Sequence, residues 1–254
     1  MKINKQEHIM QDAIRNAGNR IMNTWLYPIG DGWVMIDTGY ENSYEKVRKR
    51  LQKLLIRPEE VRYIFLTHAH DDHAGFLEEW MTKHPQTQVI AHEKAIPGLR
   101  RGQNSFDGGC STLQAYLFCQ VMAVLGNGSH RYPKLREEHL AKLLTVNGDN
   151  LEQIETVLQG RILFTPGHTA DSMSLLVNGT LFCGDAAMDG FPSSNKITIW
   201  VEDKAEFEES WERMLASGAK KIYPAHGNSF SPTELAKNKK WIAGCSLRPL
   251  KSGK

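Results

Sequence analysis

Cysteine is scarce and dispersed: Cys110, Cys119, Cys183 and Cys245 lie far apart in 254 residues and form no CxxC pair. Free thiols in a reducing compartment are therefore the expectation, rather than a disulfide framework. Charge of one sign is also missing. The 31 Lys+Arg residues balance 29 Asp+Glu to a net +2, far too little to argue for nucleic acid or an anionic membrane as partner. No stretch approaches the roughly 20 apolar residues of a membrane-spanning helix, and the first 20 residues hold no continuous apolar run of the secretory kind. These absences point to a cytoplasmic protein. Neither GxGxxG nor GxxxxGKS spacing occurs, so no nucleotide-binding glycine loop is expected. Repeats, low-complexity tracts and Pro/Ser-rich linkers are absent too. With 41% apolar and 24% charged residues, the composition is that of an ordinary globular chain, read as one domain over residues 1–254.

What is present is an alternation of strand-like and helix-like segments. TWLYPI, GDG and WVMID read as a hairpin. Residues 41–56 carry Val47, Leu51, Leu54 and Leu55 at helical spacing. VRYIFLT is an apolar strand, GFLEEWMTKHP a helix stopped by Pro85, and TQVIAHE the next strand. Residues 100–150 break the pattern: 110–126 and 133–146 read as two helices separated by a Gly/Asn/Ser turn. Strands resume with RILFTPG, SMSLLV, GTLFCGD and KITIWVED. A helix ended by Gly218, the strand KKIYPAHG, and a last helix with a Ser231/Pro232/Glu234 start signal complete the chain.

Chemistry gathers in THAHDDHAG, residues 67–75, where His68, His70, Asp71, Asp72 and His73 crowd together. On a helix His68 and His70 would point about 200° apart. At a strand end they project to one side, and the following turn returns Asp72 and His73 towards them. The apolar run before the motif favours the strand end. Such a motif supplies a pair of ligands to each of two adjacent metals. Three further side chains close apolar runs beside glycine: His168 in ILFTPGHTADS, Asp185 in TLFCGDAAM and His226 in KIYPAHGNS. Strand ends at tight turns place side chains at the rim of a sheet, where sites form. Five histidines and two aspartates suffice for two ions. His8, His84, His92, His130 and His139 lack such context and read as ordinary residues, and the C-terminal lysines, Lys251 and Lys254 among them, as a solvated face.

HxHxDH, then PGHT, GD and AHG, preceded by IDTG at residues 36–39, resembles the metallo-β-lactamase superfamily over nearly the whole chain. The resemblance implies an α/β fold, a four-layer αββα sandwich, here with a helical insertion at 100–150 between the halves. The insertion's role is open between a lid, a homodimer contact, or both. It further implies that His68, His70 and His168 hold one metal, that Asp72, His73 and His226 hold another, and that Asp185 bridges. Asp37 would orient a ligand, and Asp71 falls at a variable position. Zinc suits an imidazole-rich, carboxylate-containing site, with iron and manganese as alternatives.

A pair of divalent ions so held implies a hydrolase whose metal-bridging hydroxide cleaves an ester, thioester, lactone or phosphodiester, with Asp72 orienting the nucleophile or carrying a proton to the leaving group. The alternative is a mononuclear iron oxidoreductase resembling the persulfide dioxygenases. Diiron oxygen reductases are disfavoured because His70 is intact. GDAAMDGFP lacks the Gly-Cys-Gly-Arg pattern of the glyoxalase II type, and Met188 stands where lactonases of this family carry a tyrosine. Met188, Phe191, Pro192 and Trp200 are candidates for the pocket wall. No branch of the family fits the chain well enough to name a substrate.

Overall fold

Strands that are apolar on both faces must be covered on both faces, and that requirement shapes this molecule. The computed structural model describes residues 13–19 and 21–250; His8, Lys251 and Lys254 lie outside them. Strands β1 (Arg15–Asn16), β2 (Trp25–Ile29) and β3 (Gly32–Ile36) come first, followed by helix α1 (Tyr44–Lys53) and β4 (Val61–Phe65). Helix α2 (Leu77–Lys83), β5 (Gln88–His92), α3 (Ile96–Arg101), β6 (Gly109–Cys110), α4 (Leu113–Met122), α5 (Glu137–Leu140) and β7 (Leu144–Val146) follow. The second half holds α6 (Leu151–Leu158), β8 (Arg161–Phe164), β9 (Met173–Val177), β10 (Thr180–Gly184), β11 (Trp200–Val201), α7 (Lys204–Ala216), β12 (Lys221–Pro224), α8 (Pro232–Asn238) and α9 (Lys240–Ala243).

The first sheet runs β1-β2-β3-β4-β5-β7 and the second β12-β10-β9-β8, while β6 and β11 form a separate pair. Successive residues of a strand face opposite sides, and three cores result. Leu26, Met35, Ile64, Val89 and Ala91 meet Val47 and Leu51 of α1, Leu77 and Trp80 of α2, and Leu99 of α3. Their neighbours Tyr27, Val34, Ile36, Phe65 and Ile90 face the second sheet's Ile162, Leu175, Val177 and Phe182. Behind the second sheet, Leu181, Cys183 and Ile222 meet Phe207, Trp211 and Met214 of α7 and Leu235 of α8. The layers are helix, sheet, sheet, helix: the expected αββα sandwich.

The topology sets the position of the site. Strands β3, β4, β5 and β7 are parallel, as are β10 and β12, so the carboxyl ends of β3, β4, β10 and β12 meet at one edge. Open parallel sheets bind ligands there. The sheets approach tightly at Gly184, the last residue of β10. A Cβ on it would stand 2.5 Å from Thr67 Oγ1, and its φ of +52° is one that side chains rarely adopt.

Two expectations fail. Residues 133–146 are not one helix: α5 is a single turn, and Leu144–Val146 joins β5 as a parallel edge strand. The Tyr132 backbone N–H bonds to Gly102 and that of Leu135 to Leu99, which holds the start of the segment extended, and Val146 is buried between the sheets. KITIWVED is not a long strand either. Only Trp200–Val201 pairs, with β6, while Thr198 and Ile199 bond through their carbonyls to Ser111. Helices α3 and α6 are additional to the sequence reading.

Gly184→Ala is expected to lower unfolding free energy by about 2–4 kcal/mol through strain at positive φ and the clash with Thr67. Urea denaturation reads this directly; a loss below about 0.5 kcal/mol would mean that the two strand ends separate freely.

Candidate metal centre

Asp37 stands immediately beyond β3, 1% exposed and at φ +58°, a strained backbone position for a residue with a side chain. Its carboxylate accepts from the Thr67 N–H at 2.7 Å, the Thr67 hydroxyl at 2.8 Å and His73 Nδ1 at 2.7 Å. Strain at a buried polar residue is tolerated where surrounding bonds over-determine it, and three donors do so here.

The histidines share one logic. His73 gives its Nδ1 proton to Asp37. His168 gives its own to the Trp200 carbonyl at 2.7 Å, and His226 to the Ile21 carbonyl at 2.6 Å. The Thr67 hydroxyl, already donating to Asp37, accepts from His68 Nδ1 at 3.0 Å. An acceptor at Nδ1 fixes the ring orientation, so four rings turn Nε2 towards the same small volume. His168 Nε2 lies 3.1 Å from His68 Nε2 and 3.1 Å from His70 Nδ1. Three nitrogens around a tetrahedral ion at the usual bond length stand about 3.3 Å apart. Without a cation these lone pairs would face one another unshielded.

A second set adjoins the first. His226 Nε2 is 3.1 Å from Asp72 Oδ2, and His73 Nε2 is 3.7 Å from Asp72 Oδ1. Asp185 lies between the sets: Oδ1 is 3.5 Å from both His73 Nε2 and His226 Nε2, and Oδ2 is 3.7 Å from His168 Nε2. His73 Nε2 and Asp185 Oδ1 are buried without a hydrogen-bond partner. Buried polar atoms seldom remain so unless something else satisfies them, and a divalent cation fits this donor set. The ligand atoms of His68, His70 and His168, of His68, His73 and Asp185, and of Asp72, His73 and His226 each lie within 4.8 Å of one another.

The electrostatics divide the rings. Burial, reinforced by neighbouring imidazoles, pushes His68 and His70 well below the ordinary histidine pKa, and burial also lowers His168. These are ready neutral ligands. Burial opposes charge on His226 as well, but the carboxylates of Asp185 and Asp72 outweigh it and raise its pKa to about 9. His73 is raised too, by Asp37, Asp72 and Asp185 against burial. Burial alone would raise Asp72 and Asp185, but His73 and His226 hold both carboxyls low.

The structure thus brings together all seven side chains read as ligands, with Asp37 behind His73. Asp71 points away: it accepts from Asn104 Nδ2 at 2.8 Å, and His130 Nδ1 stands 3.4 Å off, so it anchors the segment before and after α4. His130, read as ordinary, is half of that anchor. His84 bonds to Tyr44, His139 to Glu78, and His92 accepts from the Lys94 N–H, all outside the cluster. Of the wall candidates, Met188 is buried, Phe191 is exposed, and Trp200 acts through its carbonyl on His168.

Two residues escaped the sequence reading. Asp171, 8% exposed, accepts from the Ala69 N–H at 2.9 Å and ties the His168 loop to the strand end bearing His68 and His70; an acid three residues after a candidate ligand was its only signal. Tyr40 closes IDTGY, and its phenol lies beside Asp72. The Asp72 charge, then burial, holds its proton on far above the ordinary tyrosine range.

The sequence matches the Metallo-beta-lactamase superfamily over residues 17–226. It is 31% identical over 207 residues to the metallo-beta-lactamase fold-containing protein ST1585 of Sulfurisphaera tokodaii, covering 78% of this chain and 70% of that protein. It is 27% identical over 207 residues to the beta-lactamase-like protein 2 homolog of Drosophila melanogaster, covering 81% of this chain and 58% of that longer protein. The crystal structure of the metallo-beta-lactamase family protein TTHA1429 from Thermus thermophilus superposes with a TM-score of 0.65 at 20% identity, over 92% of this chain and 80% of that one.

Asp37→Asn puts an amide where two donors need a carboxylate, and metal affinity is expected to fall about 10–100-fold in competition with a chromophoric chelator; undiminished affinity would remove Asp37 from the site. Below about pH 9 a metal entering beside His226 must displace the Nε2 proton. Affinity for that ion should therefore rise with pH, by up to about tenfold per unit for each proton displaced from His226 and His73, the His226 contribution levelling off above pH 9. Calorimetry in buffers of different ionisation enthalpy counts the proton released, and a pH-independent affinity would contradict the assignment.

Proposed function

The chain belongs to the metallo-β-lactamase superfamily, whose members are typically metal-dependent hydrolases, and on that premise we propose that it is a dinuclear metal-dependent hydrolase of a small ester, thioester, lactone or phosphodiester. The observation that carries this reading is Asp185, which turns one oxygen to His168 and the other to His73 and His226. In this reading His68, His70 and His168 hold one ion, Asp72, His73 and His226 hold the other, and Asp185 serves both. Zinc is the proposed metal, since imidazole and carboxylate donors suit it.

Two divalent ions held by these residues would supply a water of lowered pKa and would draw charge from a carbonyl or phosphoryl oxygen. The chain's own groups supply the rest. The Nδ1 bonds to Asp37, Trp200, Ile21 and Thr67 keep four of the five rings in one orientation, so little reorganisation is needed as charge develops. The Asp72 side chain is 15% exposed and reaches the opening of the cluster. It is the group placed to orient the nucleophile and to pass a proton to a leaving oxygen or sulfur. The Tyr40 phenol beside it donates rather than accepts, which keeps a hydrogen-bond donor at that edge.

Near-neutral net charge supports a small molecule over a nucleic acid as substrate. Phe191 meets Phe118 edge to face at 5.7 Å, and with buried Met188 this supports an acyl or aromatic portion in the substrate. The unpaired thiols support a cytoplasmic setting. Among the described residues no helix is long and apolar enough to cross a membrane.

Elemental mass spectrometry of protein expressed without added metal is expected to find about two zinc ions per chain. Chelation should abolish hydrolysis of an ester, thioester, lactone and phosphodiester panel, and zinc should restore it. His168→Ala should lower kcat/KM by about a thousandfold or more. One iron per chain with oxygen consumption, and no hydrolysis, would replace this reading with that of a mononuclear iron oxygenase.

A further inference from the structure

Helix α4 has no charged residue on any side. From Gly108 to His130 the chain holds no Asp, Glu, Lys or Arg, in a protein whose remaining surface is well supplied with both signs. Gln114 and Gln120 are its only amides, and a helix so poor in polar residues is ordinarily buried, yet Ala115 is the one fully buried residue of α4. Its inner face is spoken for. Ala115 packs inward, the Cys119 thiol bonds to that of Cys110 in β6, and Phe118 rests against Phe191. The outer face carries Leu113, Leu117 and Val121 at successive intervals of four, then Val124 and Leu125 in the turn that follows. These are exposed by 55%, 55%, 57%, 87% and 67%. Half of the large apolar side chains exposed among the described residues thus stand on one short segment. Scattered exposed leucines need no explanation, but a contiguous stripe marks an interaction surface.

We propose that this stripe pairs with its own counterpart in a second copy of the chain, the two α4 helices lying antiparallel across a two-fold axis near Leu117 and Val121. Charge argues for a copy. A surface without charge offers nothing with which to select an unlike partner, and it does not repel itself. A two-fold contact needs a self-complementary patch; a stripe that is apolar from end to end remains so when reversed, with Leu113 of one copy against Leu125 of the other. Antiparallel helices also set opposite dipole ends side by side. Area argues the same way. The stripe exposes roughly 600 Å² per copy, so pairing that covers it removes on the order of 1,200 Å² from water, the lower limit of a specific stable interface. A lipid surface is the less fitting occupant, since helices that lie on membranes carry Lys and Arg on their polar face and α4 carries none.

The inference does not depend on the chemistry of the metal cluster, and its test does not use activity. Sedimentation equilibrium of the full chain, from nanomolar to submillimolar concentration, is expected to show a monomer–dimer equilibrium. The double variant Leu117→Glu/Val121→Glu places charge on two side chains that stand on the outer face of the monomer. It should weaken association by at least about a hundredfold while keeping the melting transition and metal content of the parent. Trp241→Glu, at an exposed apolar residue of α9 rather than α4, should leave the dimer intact. A wild-type chain that stays monomeric throughout overturns the proposal, and more so if that monomer sediments with phosphatidylcholine vesicles. A dimer that survives the double variant overturns it equally, by placing the interface elsewhere.

Discussion

A single buried carboxylate ties the fold of this protein to its site. Asp37 ends the first strand of the parallel run, takes two donors from Thr67 at the end of the next, and orients His73 with its remaining capacity. Thr67 in turn hydrogen-bonds to His68, supports Gly184 of the opposite sheet from below, and accepts through its carbonyl from Met173. Strand pairing, sheet packing and ring orientation therefore share the same few atoms. The positive φ of Asp37 is the conformational cost of that arrangement, borne where three donors enforce it.

Much of the site was legible before the fold was known because ligand chemistry restricts residue type. HxHxDH, PGHT, GD and AHG place nitrogen and carboxylate donors at strand ends, and parallel strands bring such ends to one edge whatever the intervening sequence. Asp37 was legible as the residue that orients a ligand; what could not be read are the other groups that hold the site. The carbonyls of Ile21 and Trp200 belong to residues whose side chains have no part in the bond, and Thr67 and Asp171 show nothing special by type. Tyr40 was hidden because its partner Asp72 is 32 positions away in sequence.

The two misread elements fail for a common reason. In 133–146 the apolar residues suit a helix, yet an open edge of β5 offers Leu144–Val146 hydrogen bonds and burial that an isolated helical turn cannot match. In KITIWVED the β-branched residues suit a strand, yet the neighbouring backbone available to it is irregular, and only two residues find a ladder. Local preference was outweighed by what lay alongside. The uncharged segment around α4 inverts that case, since there the local pattern asks for a neighbour that the single chain does not provide.

The anchoring of His168 and His226 on backbone carbonyls bears on how this site can change over time. A side-chain acceptor vanishes with one codon, whereas a carbonyl persists through every substitution at its position. Residues 21 and 200 are thus free to drift in side chain while continuing to aim the two rings. Variation in the surrounding walls, and with it in what the site accepts, need not disturb the geometry of the clustered side chains. The anchors most exposed to mutational loss are Asp37 and Thr67, and they lie at the centre of the fold, where loss of function and loss of structure arrive together.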